Sequence, residues 1–222
     1  MAIAPIDPYP MPRPAELPAD SVSWSVDPHR AALLVHDMQH YFLAPFEHGA
    51  PPHADLLAHV AAVRERCAGL GVPVLYTAQP GDMTPQQRGL LADFWGPGMS
   101  AVPEEQGIPE VVAPREGDTV LTKWRASAFH HTPLLELLRE QGRDQLIICG
   151  VYAHVGILLT ACDAFAHGIQ PFVVSDAVAD FTPDYHHMAL RYAASRCAVV
   201  LPTAAVLQAL PAADPVSLGG HS

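Results

Sequence analysis

The sequence predicts an α/β protein with three layers: a doubly wound, mostly parallel six-stranded sheet with helices on both faces. Two observations carry this. Short apolar runs alternate with segments of helical periodicity along nearly the whole chain. The first run, Ala31–His36 (AALLVH), is continuously apolar, as a strand buried on both faces must be. Half of the 222 residues are apolar, enough to bury one sizeable core.

The elements follow in order. Residues 1–28 are rich in proline and read as an arm laid over a domain that spans 29–211. Ala31–His36 is the first strand. Ala54–Leu70 carries helical spacing and stops at Gly71. Pro73–Thr77 is the second strand. Residues 79–118 are rich in Pro, Gly and acids, with only short helical pieces; long irregular stretches of this kind often carry function. Thr119–Thr122 is the third strand, Pro133–Gln141 a helix and Gln145–Cys149 the fourth strand, ended by Gly150. Val155–His167 is a helix and Pro171–Ser175 the fifth strand. Pro183–Ser195 is a helix opened by proline, where a missing N–H costs nothing. Ala198–Leu201 is the sixth strand and Thr203–Leu210 the last helix. Residues 212–222 read as a frayed tail.

The formal charge of −11, with no basic run, argues against nucleic acid and anionic membranes as partners. No window has the apolar length of a membrane span, and the N-terminus lacks the pattern of a signal peptide. A cytoplasmic protein is expected. The four cysteines (Cys67, Cys149, Cys162, Cys197) lack metal-type spacing and read as reduced core thiols. The 13 histidines include the pairs His130-His131 and His186-His187, but adjacent side chains do not converge on one ion, and no H-E-x-x-H or C-x-x-C occurs. His36 and His154 read as hydrogen-bonded structural residues. With no G-x-G-x-x-G or P-loop either, neither metal nor nucleotide cofactor is expected.

In open parallel sheets ligands bind at the carboxyl ends of the strands. That rule selects His36-Asp37, Ala78-Gln79, Lys123-Trp124-Arg125 and Gly150-Val151-Tyr152. An acid, an amide, two cations and a phenol are expected to converge on one crevice. Lys123 is the only lysine among 12 basic residues, and it ends an apolar stretch where an ammonium is costly without a purpose. A lone aspartate after a strand is more often a helix cap. Lys123 at a neighbouring strand end favours instead a desolvated general acid at Asp37. No serine sits in a G-x-S-x-G elbow, and the helix after Gly150 opens with His154-Val155-Gly156, which offers no thiol or hydroxyl.

The strings LLVHDMQHYFL from Leu33, YTAQPGDMTPQQRGLLADFWGPGM from Tyr76, LTKWRASAF from Leu121 and CGVYAHVGILLTACDAFAHGIQPFVVSDAVADF from Cys149 resemble the isochorismatases. The resemblance runs from about Pro8 to about Leu207. Within the family it is nearest to the enzymes that hydrolyse 2-amino-2-deoxyisochorismate in phenazine formation, and next to siderophore isochorismatases. It implies a hydrolase that splits a vinyl ether to pyruvate plus a dihydro-aromatic acid, using a small dianionic substrate and no cofactor. It implies Asp37 as the essential acid and Lys123 as the essential lysine. Gln79, Arg88 and Tyr152 match positions that contact substrate, and Gly156 matches one that leaves room for it. Phe42 and Trp95 match an apolar lining, and Val151–Tyr152 a cis peptide. A homodimer is implied as well.

The wider superfamily includes amidases and nicotinamidases with an Asp–Lys–Cys triad, whose cysteine position is Gly156 here. An amidase reading would therefore need its thiol from Cys149 or Cys162. A non-catalytic binding protein is the other alternative; the intact Asp37 and Lys123 speak against it. One departure stands out: W-R-A-S-A-F replaces the family's W-R-Y-S-A-F, so Ala126 stands for an aromatic residue, which leaves substrate preference open. The chain ends soon after the last helix, without the carrier domain of siderophore isochorismatases, so a stand-alone enzyme is expected.

Overall fold

A computed structural model describes residues 3–211; the tail read at 212–222 lies outside the described residues. Six strands form one sheet: β1 (Ala31–His36), β2 (Val74–Ala78), β3 (Thr119–Thr122), β4 (Gln145–Val151), β5 (Gln170–Ala179) and β6 (Val199–Leu201). Their spatial order is β3-β2-β1-β4-β5-β6, and every pairing is parallel. The chain thus starts in mid-sheet and winds outward in both directions, which opens a crevice beyond the carboxyl ends of β1 and β4.

The nine α-helices of the described residues follow in chain order. They are α1 (His40–Leu43), α2 (His53–Gly69), α3 (Pro85–Arg88), α4 (Leu91–Trp95), α5 (Pro103–Gln106), α6 (Leu134–Glu140), α7 (Leu158–Ala166), α8 (Pro183–Arg196) and α9 (Thr203–Ala209). None is long and apolar enough to cross a membrane. Alternation along β1 shows the layers. Leu33 and Val35 pack with Leu56, Val60 and Val63 of α2 and Val206 of α9, while Ala32 and Leu34 pack with Leu134 of α6, Ala161 of α7 and Ala193 of α8. All six β1 residues are buried, as two covered faces require. Ahead of β1, Ile6 and Tyr9 are buried in the first of these cores. The Tyr9 hydroxyl accepts from the Asp180 amide at 2.7 Å.

Three boundaries differ instructively from the sequence reading. β5 runs four residues past Ser175, because the strand's polar groups there find partners inside the fold: the Ser175 carbonyl faces His186 Nε2 at 3.0 Å, and the Asp176 carboxylate caps α9 by accepting from Thr203 N at 2.7 Å. β4 continues through Gly150 to Val151. Gly150 sits at φ 116°, and a Cβ there would fall 2.1 Å from the His36 carbonyl oxygen, so only glycine lets the two central strands pass. The helix expected from Val155 opens instead as a wide π-type turn, Ala153–Ile157, before α7.

Candidate active site

Asp37 follows β1 directly, at φ 51°, a left-handed conformation uncommon outside glycine. The bend is held from β2: the Asp37 amide reaches both Thr77 Oγ1 (3.1 Å) and the Thr77 carbonyl (3.3 Å), and Thr77 Oγ1 donates to Asp37 Oδ1 at 2.6 Å. Lys123, just past β3, donates from Nζ to the other oxygen, Oδ2, at 2.7 Å. Asp37 is 4% exposed and Lys123 1%. Desolvation pushes the Asp37 carboxyl up; the charges of His36 and Lys123 and the hydrogen bonds from Lys123 and Thr77 outweigh it and hold the group below the ordinary carboxylate value. A Thr77→Val variant keeps the side-chain shape but drops one donor to this carboxylate. It should lose about 1–3 kcal/mol of stability in urea titrations, and an unchanged midpoint would remove Thr77 from the account.

Gln79, past the end of β2, extends the network. Its Nε2 lies 3.3 Å from Asp37 Oδ2, and its backbone is clamped by Gln39, whose Nε2 donates to the Gln79 carbonyl (2.9 Å) and whose Oε1 accepts from the Gln79 amide (2.7 Å). Arg88 ends α3, a short helix begun by Thr84-Pro85 with a Thr84–Gln87 capping box. Its guanidinium is 6% exposed and donates to the Gly96 carbonyl (2.9 Å), with longer contacts to Gln79 Oε1 and the Trp95 carbonyl (both 3.4 Å). No carboxylate pairs with it among the described residues. Burial pulls its pKa down, the mark of a cation poorly compensated by protein.

These groups face one cavity, walled also by Phe42, Trp95, Ala126, Tyr152 and Gly156. The Val151–Tyr152 peptide bond is cis. One sequence expectation needs correction. Arg125 is not the second cation of the crevice: its Nη1 is spent on the Gln87 and Trp124 carbonyls, and Arg88 takes that place. Tyr152 offers a ring but no free donor, because its hydroxyl donates to the Phe42 carbonyl at 2.6 Å. The room beside Gly156 belongs first to the His36 ring.

His36 is itself more than a structural residue. It lines the cavity, and its Nε2 has no hydrogen-bond partner among the described residues, while Nδ1 binds the Val151 carbonyl at 2.8 Å. Sequence reasoning also missed Thr77, which only the β1–β2 register brings opposite His36 and so beside Asp37, and Ile3, Tyr41, Leu91 and Val155 of the cavity wall. His154 binds Asp180 (Nδ1 to Oδ1, 2.7 Å) and stacks on Tyr185.

No Cys, Ser or Thr lines the cavity among the described residues. Cys149 is fully buried in β4, and burial pushes its thiol well above the ordinary range. Cys162 lies on α7, 3.8 Å from Cys197 Sγ, away from the cavity. The thiol that an amidase would need is not in place. What the arrangement offers is a desolvated carboxyl–ammonium pair and a buried guanidinium around an apolar wall. It suits proton transfer to a small anionic molecule.

Residues 31–205 match the family model for the isochorismatase domain. The chain is 53% identical to an isochorismatase of Bacillus subtilis over 210 residues, covering 95% of this chain and 67% of that protein. It is 54% identical to phenazine biosynthesis protein PhzD1 of Pseudomonas aeruginosa over 200 residues, covering 90% and 96%. In fold it is similar to a cysteine hydrolase of Pseudomonas syringae pv. phaseolicola, with a TM-score of 0.76 at 23% identity, covering 85% of this chain and 96% of that one. The chain belongs to the isochorismatase family and is a hydrolase of that family.

Proposed function

We propose that the protein hydrolyses the vinyl ether of isochorismate or 2-amino-2-deoxyisochorismate to pyruvate and a dihydro-aromatic acid, with Asp37 as general acid and no covalent intermediate. The observation that carries this is the buried Asp37–Lys123 pair beside Arg88, in a cavity that holds no thiol. Asp37 in its protonated form delivers the proton to the terminal alkene carbon, which becomes a methyl group. The ether carbon becomes an oxocarbenium ion. Water adds to it and returns a proton to the Asp37 carboxylate. The hemiketal then breaks its C–O bond to the ring: its hydroxyl oxygen becomes the pyruvate carbonyl, and the proton it loses passes to the leaving oxygen, which becomes the ring hydroxyl.

In the free enzyme Asp37 is ionised at neutral pH, since its pKa is depressed. A substrate with two carboxylates reverses the balance. Its negative charge shares the Lys123 ammonium and opposes ionisation of Asp37, so proton uptake accompanies binding. Arg88 holds a carboxylate and relieves its own desolvation; Gln79 bridges Arg88 and the acid. Phe42, Trp95 and the Tyr152 ring exclude water from the reacting carbons.

The assay is pyruvate release from each of the two substrates; release from neither would sink the reading in favour of a binding protein. Arg88→Gln is expected to lower kcat/KM by roughly 10- to 100-fold, mostly through KM, as loss of a charge-assisted contact should. An unchanged KM would take Arg88 out of substrate binding. A homodimer is part of the proposal, to be checked by light scattering; a monomeric mass counts against it.

A further inference from the structure

β1 ends on His36, and Gly156 is the fourth residue of the wide turn that follows β4. Both line the cavity. The His36 ring is fully buried and pinned: Nδ1 donates its hydrogen to the Val151 carbonyl at 2.8 Å. A Cβ added at Gly156 would lie 2.1 Å from His36 Cε1, 2.8 Å from Nε2 and 3.1 Å from Nδ1. The first two distances are shorter than real Cβ contacts show. Gly156 does not occupy the left-handed region, so its backbone accepts any residue. The obstacle is one side chain.

That side chain also touches the chemistry. His36 Nδ1 stands 3.8 Å from Asp37 Oδ2, the oxygen that Lys123 holds at 2.7 Å. Asp37, Lys123 and Gly156 line the same cavity, so a side chain rooted at 156 would share it with the acid–ammonium pair, where a thiol would find both a base and a cation to activate it.

We propose that His36 determines the reaction class of this cavity: its imidazole occupies the space that a nucleophile-bearing side chain at position 156 requires, and so confines the site to chemistry without a covalent intermediate. This rests on the reading under Proposed function for the consequence, but not for the steric exclusion. His36 and Gly156 form one unit. A larger residue at 156 is admissible only when the residue at 36 is smaller and cannot hold the same space.

The test is a double-mutant cycle read by thermal unfolding. Gly156→Ala should lower Tm by about 5–10 °C, the range expected for overpacking a core in a chain of this size. His36→Val/Gly156→Ala should unfold within about 3 °C of His36→Val alone, because the clash is gone. The pair His36→Val/Gly156→Cys should then carry a thiol that iodoacetamide labels at neutral pH at least ~10-fold faster than any native cysteine, located by peptide mapping. Three results overturn the proposal: a wild-type Tm for Gly156→Ala; a double variant no more stable than Gly156→Ala, insolubility of both included; or an introduced thiol as inert as Cys149. None of these readouts uses pyruvate release, so failure here is distinguishable from failure of the proposed reaction.

Discussion

Asp37→Asn is expected to lose pyruvate release by roughly 10²–10⁴-fold, the contribution of a positioned general acid. Asparagine keeps the size of the side chain and can still accept from Thr77 or Lys123, so substrate should still bind, and KM should change far less than kcat. A second signature comes from pH. The group must be protonated to act, so the rate falls as pH rises through its pKa. In the free enzyme that pKa is depressed; in the complex the anionic substrate raises it. The basic limb of kcat should therefore lie at higher pH than that of kcat/KM, and Asp37→Asn should erase it from both. Turnover of Asp37→Asn within about tenfold of wild type would remove the acid role, since general acid catalysis is worth more than that.

Sequence periodicity was sufficient for the fold because the central strands β1 and β4 are buried on both faces. Continuous apolar runs such as Ala31–His36 have no other stable placement, and their ends then mark the crevice. Asp37 and Lys123 were legible for the same reason. What periodicity could not supply was the contribution of the irregular stretch between β2 and β3. Lys123-Trp124-Arg125 suggested two cations at one strand end, yet Arg125 turns to the carbonyls of Gln87 and Trp124, and the second cation arrives on α3 as Arg88. Only the family resemblance pointed to Arg88. Thr77 was invisible because its role depends on the β1–β2 register, a non-local fact. His36 looked like an ordinary strand residue; its consequence appears only where β1, β4 and the turn at Gly156 meet.

Lys123→Met should both inactivate the enzyme and invert the pH dependence that Asp37 gives to stability. In the wild type the folded-state pKa of Asp37 lies below its unfolded value. That contribution is present above the unfolded pKa and is lost as pH falls through the folded one. Methionine keeps the stem and removes the ammonium. Desolvation, the largest influence on this carboxyl, is then far less opposed, and the folded pKa moves above the unfolded value. The sign reverses: the protonated acid is tolerated at low pH, and stability falls as pH rises toward the new folded pKa. His36, whose pKa burial pushes to about 4, lends its charge to Asp37 only in acid and supplies none at neutral pH. The stability gap between wild type and variant should accordingly be small near pH 4 and widen to about 3–5 kcal/mol near pH 8, the cost of a buried carboxylate without its partner. Urea titrations across that range decide the matter; a gap independent of pH would mean that Lys123 serves packing alone. The same variant separates two roles of the lysine. Its Asp37 holds a proton at higher pH than the wild type's, so if Lys123 acted only by tuning the acid, turnover would survive. Loss of turnover together with a raised KM would instead assign the ammonium to the carboxylates of the substrate.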